Sequence, residues 1–253
     1  MCLIAWNWNP EKRELLLLSN RDEFYARPTL PAHWWPGNQI LAGKDLQAGG
    51  TWLGLARNGR MAALTNFRAP DADASGRPSR GELVAGFLQS DMAPEAYLRW
   101  VQSNSDKYLP FNLLIYDGRR LLGLESRHQR IVKLEAGIGA VSNADFNTPW
   151  PKLTALKQGL EDQKNQPASD LPAYLPLLMQ RKTAPVESLP DTGVGQSLEL
   201  TLSAIFVASP AYGTRACSVL KMSASQVDFM QQSFDAGELG SRHSFSFEVP
   251  DIV

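Results

Sequence analysis

The sequence predicts an α+β fold in which sheets pack on one another and helices lie outside. Three observations carry this. Two successive runs near the start are apolar on both strand faces, hairpin turn signals recur through the first half, and blocks of strands are separated by pairs of helical segments. A strictly alternating strand and helix rhythm would instead mark a parallel sheet.

The elements follow in order. Cys2, Ile4, Trp6 and Trp8 share one face of a strand, and Leu3 and Ala5 the other, so both faces are expected to be buried. A turn at 9–12 leads to the leucine run 15–18, which is apolar on both faces as well. Residues 51–56 and 61–67 are predicted as a hairpin, because Asn58-Gly59 between them suits a tight turn. Strands at 111–116 and 121–125 repeat the pattern about Asp117-Gly118. Helices are predicted at 79–88, where Ser79 and Glu82 have capping-box spacing, and at 94–101. Two more are expected at 150–160 and 171–179. Strands return at 200–207, 215–222, 227–234 and 244–249, and 137–142 reads as a strand ending at Asn143. Residues 68–78, polar and bearing Pro and Gly, read as a mobile loop. No internal repeat or clear boundary divides the chain, so one domain over 1–253 is expected.

Composition narrows the function. Of 253 residues 43% are hydrophobic, enough for a substantial core, and 25 Lys and Arg balance 26 Asp and Glu. No net field recruits nucleic acid or an anionic membrane, so a partner must be recognised locally. No apolar run reaches the roughly 18 to 20 residues of a membrane helix, and no secretory signal opens the chain. The expected location is cytoplasmic. Two cysteines, Cys2 and Cys217, make no disulfide framework and no zinc pair.

Cys2 carries the sharpest chemistry. If Met1 is removed, Cys2 holds a free α-amine beside its thiol, and base and nucleophile become one residue. A triad histidine is then unnecessary, and His33, His128 and His243 are scattered. Taken alone, however, a cysteine on an apolar strand reads as a small packed side chain. The polar string Ser19-Asn20-Arg21-Asp22-Glu23 adds weight to the first reading, since a hairpin brings it to the start of the chain. Arg21 is placed to lower the thiol pKa, and a carboxylate to hold the α-ammonium. Asn66 and Asn143 each end a strand, as a turn former or as a donor to an oxyanion. Cys217 reads as a core thiol. His33, Trp34, Trp35 and Trp52 either line an apolar pocket, with 68–78 as its lid, or close the edge of the core.

The string Asn20-Arg21-Asp22-Glu23, the Met1-Cys2 start, Gly49-Gly50-Thr51-Trp52-Leu53-Gly54, Leu64-Thr65-Asn66-Phe67-Arg68, Ser142-Asn143, Pro149-Trp150-Pro151-Lys152 and Gly213-Thr214-Arg215 resemble the NRDE family, also called the transport and Golgi organisation 2 family. That family is similar to the N-terminal-nucleophile (Ntn) hydrolases of the choloylglycine and penicillin V acylase type. The resemblance implies a four-layer αββα sandwich of antiparallel sheets and an amidohydrolase that cleaves a linear amide through a Cys2 thioester. It assigns catalytic roles to Cys2, Arg21, Asp22, Asn66, Asn143 and Arg215. Asn20, Glu23, His33, Trp34, Trp35 and Trp52 are the candidate ligand contacts. The acylases place the carboxylate three residues after the arginine, whereas Asp22 follows Arg21 directly, so Asp22 and Glu23 both stand as the carboxylate facing the amine. Hydrolysis of this kind needs no cofactor and no metal. The resemblance equally allows a non-catalytic carrier of haem or acyl-lipid derivatives, in which Cys2, His33 or a methionine would be the axial ligand of haem.

Overall fold

The computed structural model describes residues 2–69, 75–164 and 170–250, so Met1 and part of the predicted loop at 68–78 lie outside the described residues. The strands are β1 (Cys2–Asn9), β2 (Glu14–Phe24), β3 (Thr29–Trp34), β4 (Ile40–Asp45), β5 (Leu53–Ala56), β6 (Met61–Asn66), β7 (Phe111–Tyr116), β8 (Leu121–Glu125), β9 (Arg130–Lys133), β10 (Gly137–Val141), β11 (Tyr212–Met222), β12 (Gln226–Asp235) and β13 (Glu238–Glu248). The helices are α1 (Gly81–Gln89), α2 (Pro94–Ser103), α3 (Pro151–Gln163), α4 (Leu175–Leu178) and α5 (Gln196–Leu202).

Alternation along the strands builds the layers. One sheet runs β10-β1-β2-β11-β12-β13 and the other runs β3 to β9 in sequence order, with every pairing antiparallel. Ile4, Trp6, Leu15 and Leu17 face the second sheet and meet Leu41, Leu53, Leu55, Met61 and Leu114 in the inner core. On the reverse face Leu3, Ala5 and Leu18 meet Leu153, Leu156 and Leu160 of α3. The outer face of the seven-stranded sheet is covered by Leu83, Val84 and Phe87 of α1 and Leu98 and Val101 of α2. The result is the four-layer αββα order, with each fully buried leucine contributing about 1.5–3 kcal/mol.

Several elements differ from expectation. Residues 200–207 are not a strand: α5 ends at Leu202 and an irregular segment follows. Glu199 and Leu202, one helical turn apart, are both buried, Glu199 by an ion pair to Arg68. The predicted helix at 171–179 is a 3-10 turn at Leu171–Tyr174 followed by the single turn α4, since Pro172 and Pro176 withhold the amide donors a continuous helix needs. The capping box does not form. Ser79 Oγ accepts from the amide of Gly81 at 3.3 Å, while the Glu82 carboxylate accepts from the Tyr108 hydroxyl. His33 and Trp34 lie in an edge strand, β3, which is not among the expected strands; Pro31 within it weakens the strand signal, and an edge is where a strand tolerates proline. Finally, β2 runs on to Phe24, so the polar string 19–23 is strand and does not follow one.

Candidate active site

The register of the first hairpin assembles the site. Cys2 pairs with Arg21, and side chains directly opposed in an antiparallel ladder share a face with Cβ atoms about 4.5–5.5 Å apart. Both point toward the second sheet, and they are only 7% and 4% exposed. The Arg21 guanidinium lies over the Trp52 ring at 4.3 Å, and Nη2 donates to Asp45 Oδ2 at 3.3 Å. Arg21 Nη1 is buried with no hydrogen-bond partner. Trp52 reaches this position because residue 43 is glycine: a Cβ there would come within 2.3 Å of the indole. Asp45 also accepts from Arg27 Nε at 2.7 Å. Burial would raise its pKa, but the bonds from Arg27 and the Ala48 amide, with the charges of Arg27 and Arg21, outweigh burial and hold it below the usual range.

Asp22 follows the opposite parity, so it faces the helix layer over β2. It is 1% exposed and accepts from Thr214 Oγ1 at 2.7 Å. Lys152, in the first turn of α3 and 4% exposed, supplies the nearby positive charge. Burial raises the Asp22 pKa and Lys152 opposes that rise, while burial pushes the Lys152 ammonium down to about 8. Sequence reasoning gave Lys152 no role. A signal was present: a cation in the first turn of a helix opposes the helix dipole and is unusual there without a partner. Glu23 keeps the parity of Arg21; its Oε1 accepts from the Phe24 amide at 2.9 Å and its Oε2 lies 3.8 Å from Arg27 Nε.

The two asparagines behave differently. Asn66 lines the same cavity as Cys2, and its side-chain amide makes no hydrogen bond among the described residues, leaving its N–H groups available. Asn143 does not line that cavity. It is 1% exposed, and its Nδ2 donates to the Asn66 carbonyl at 2.8 Å while its Oδ1 accepts from Ser142 Oγ. Ser142 Oγ donates in turn to the Cys2 carbonyl at 3.1 Å, a second geometric alternative for the same hydroxyl proton. Asn143 therefore braces the end of β6 beside Cys2. Arg215 Nη1 reaches the carbonyls of Phe24, Tyr25 and Arg27, fastening the chain that leaves β2.

The cavity above Cys2 has a volume of about 540 Å³, and Arg21, Asp22, Glu23, Trp52 and Asn66 line it with Cys2. Its wall is formed by Gly50 and Thr51 against the start of α1, an approach so close that a Cβ on Gly50 would lie 2.5 Å from the Gly81 carbonyl carbon. Other predicted contacts are elsewhere. Asn20 is fully buried under the helix layer, where Nδ2 donates to the carbonyls of Leu178 at 2.8 Å and Ile205 at 2.9 Å. His33 takes the Pro31 carbonyl at 2.8 Å through Nδ1, Trp34 packs on Phe247, and Trp35 donates to the Ala42 carbonyl at 3.2 Å. None of these four lines the Cys2 cavity. Nor is the cavity the apolar slot expected from the tryptophans, since Arg27, Arg77 and Arg80 join Arg21 in its wall.

Burial sets the Cys2 thiol pKa above its usual value; Asp22 and Glu23 add to the rise and Arg21 opposes it. Proton removal must therefore accompany attack, a task for a base on the spot. Cys217 is fully buried on the opposite face, and burial pushes its thiol up as well.

Comparison with known proteins gives a consistent picture. The profile of the family described as Transport and Golgi organisation 2 matches residues 1–236. The Transport and Golgi organization protein 2 homolog of Bos taurus is 35% identical over 92% of this chain and 93% of its own length. The Homo sapiens homolog is 33% identical over 98% of both. Two crystal structures of variants of conjugated bile acid hydrolase from Clostridium perfringens superpose with TM-scores of 0.52 and 0.50, at 9% and 8% identity, each covering 100% of this chain and 99% of theirs. The sandwich is thus the Ntn-hydrolase fold.

Proposed function

We propose that this chain, which belongs to the Transport and Golgi organisation 2 family, hydrolyses a linear amide through a thioester on Cys2. The observation that carries this is the cross-strand pair Cys2 and Arg21, which opens on one cavity with Asp22 and the unengaged amide of Asn66. Loss of Met1 would give Cys2 its own α-amine. Cys2 Sγ then attacks the amide carbon as its proton passes to that amine, and the carbonyl oxygen becomes an oxyanion. Asn66 donates to the oxyanion, and Asn143 holds the backbone of Asn66 in place. Collapse of the intermediate breaks the C–N bond, and the leaving amine takes the proton held by the α-amine. Water, deprotonated by the same amine, cleaves the thioester and returns the thiol. Asp22, near Lys152 and bonded to Thr214, offers the negative charge that steadies the α-ammonium during the cycle.

The test has two steps. The intact mass of purified protein is expected to lack Met1, and Asn66→Ala is expected to cut turnover of an amide panel by about 10²–10³-fold, the cost of one oxyanion donor. Retention of Met1 would overturn the self-activated nucleophile and leave the cavity as a ligand-binding site, the carrier reading for haem or an acyl derivative.

A further inference from the structure

The wall of the Cys2 cavity contains two arginines with no carboxylate partner among the described residues. Arg77 Nη1 donates to the carbonyls of Asp106 at 2.7 Å and Tyr108 at 3.0 Å, and Arg80 Nη1 donates to the Pro110 carbonyl at 3.2 Å. These bonds fix one edge of each guanidinium on backbone carbonyls, with no ion pair to either among the described residues. The contrast with Arg27 in the same wall is sharp, because Arg27 is ion-paired to Asp45 at 2.7 Å. Arg21, whose Nη2 is bonded to Asp45, adds an independent observation. Arg21 is 4% exposed, lines the cavity, and carries the buried, unpartnered Nη1. A buried guanidinium donor without an acceptor costs free energy that a bound anion would recover. Ser79, Arg80 and Gly81, at the start of the nine-residue α1, line the same wall, so the positive end of the helix borders the cavity, with the Gly81 amide donating to Ser79 Oγ.

We propose that the ligand of this cavity is an amide bearing an anionic group, a carboxylate, sulfonate or phosphate, and that Arg77 and Arg80 seat that group. This rests on the assignment of the cavity as the place where the amide binds, but not on its being cleaved. Planar guanidinium groups with fixed backbone contacts are suited to bidentate capture of such oxyanions. Burial lowers the Arg80 pKa from its ordinary value while Cys2 and Glu23 pull it back, in keeping with a cation held near the thiol. Glu23, which shares the parity of Arg21, stands at the Cys2 end, so the anion is expected to point outward toward Arg77 and the scissile bond inward.

The experiment separates binding from turnover. On the full chain carrying Cys2→Ala, titration calorimetry compares N-hexanoylglycine with its neutral analogue N-hexanoylglycinamide. The acid is expected to bind about tenfold tighter or more, the size of one hydrogen bond to a charged group. In Arg77→Gln/Arg80→Gln the preference should vanish while the weak affinity for the neutral amide remains, and Arg80→Lys should restore part of it. Equal affinity for the two probes, binding of neither, or a preference that survives the double substitution would overturn the anion seat. If the acid binds as expected but protein with an intact Cys2 never cleaves it, the hydrolase reading falls while the anion seat stands.

Discussion

Lys152 shows what burial does to a single group. Its ammonium sits in the first turn of α3 with no hydrogen bond or ion pair among the described residues, and burial sets its pKa at about 8 rather than 10.5. A cation whose folded pKa is lowered binds its proton less tightly in the folded chain than in the unfolded one. Its penalty is therefore complete below pH 8 and is relieved as pH rises toward 10.5, by up to about 3 kcal/mol. Other groups titrate in this range, raised thiols and tyrosines with the opposite sign, so the comparison must be with a variant. Urea denaturation from pH 7 to 10.5 should show wild type gaining stability relative to Lys152→Met over that window. Parallel curves would mean that Lys152 is no more costly than a surface lysine. At the same scale, Asn143→Ala should lower turnover by loosening Asn66, with the loss appearing in kcat more than in KM, because the Asn143 amide holds the Asn66 carbonyl and does not face the cavity.

At the scale of elements, β2 and the β4 to β5 connection set the site. The parity of β1 was legible in the sequence: Cys2, Ile4, Trp6 and Trp8 do face inward and Leu3 and Ala5 outward. The opposition of Cys2 to residues 19–23 was legible too, because a hairpin allows little else. The different fates of Asn20, Arg21 and Asp22 were not drawn, although period two dictates them once β2 is known to continue to Phe24. Edge strands β3 and β9 escaped notice because they are short and only partly buried, and α5 because its pattern answers to the distant Arg68. The cavity arginines 77 and 80 were hidden for a related reason, since only the long-range meeting of the start of α1 with Gly50 and Thr51 brings them to Cys2. This packing yields a further expectation. Gly43→Ala should push Trp52 from beneath Arg21, quenching or shifting indole fluorescence and slowing alkylation of Cys2 less than it weakens ligand binding. An unchanged emission spectrum and ligand affinity would refute the role given to Gly43.

Across the whole molecule the two sheets are joined by their shared core, by the Arg21–Asp45 pair between β2 and β4, and by a junction around a second, more deeply buried ion pair. Arg68 follows β6 of the seven-stranded sheet, Glu199 belongs to α5, and Arg68 Nη1 lies 2.5 Å from Glu199 Oε2 with both side chains about 5% exposed or less. The Arg68 amide also donates to the Asn143 carbonyl at 2.8 Å, and its guanidinium stands 5.0 Å from the Trp150 ring at the head of α3. One residue thus touches the end of β6, the strand end at Asn143, α5, and the head of α3 over the other sheet. Coulomb attraction is strong at this depth, but desolvating both ions offsets much of it, so the pair fixes the arrangement more than it adds stability. Removing one partner is different, because the other charge is left buried and unmatched. Glu199→Gln is expected to cost about 3–5 kcal/mol in chemical denaturation, and Arg68→Met/Glu199→Leu to recover most of that loss. Since Asn66 and Asn143 hang from the same junction, the double variant should fold yet turn over substrate more slowly than wild type. Recovery of both stability and full turnover would show that the pair has no part in positioning the site, and a small cost for Glu199→Gln would show that water reaches Arg68.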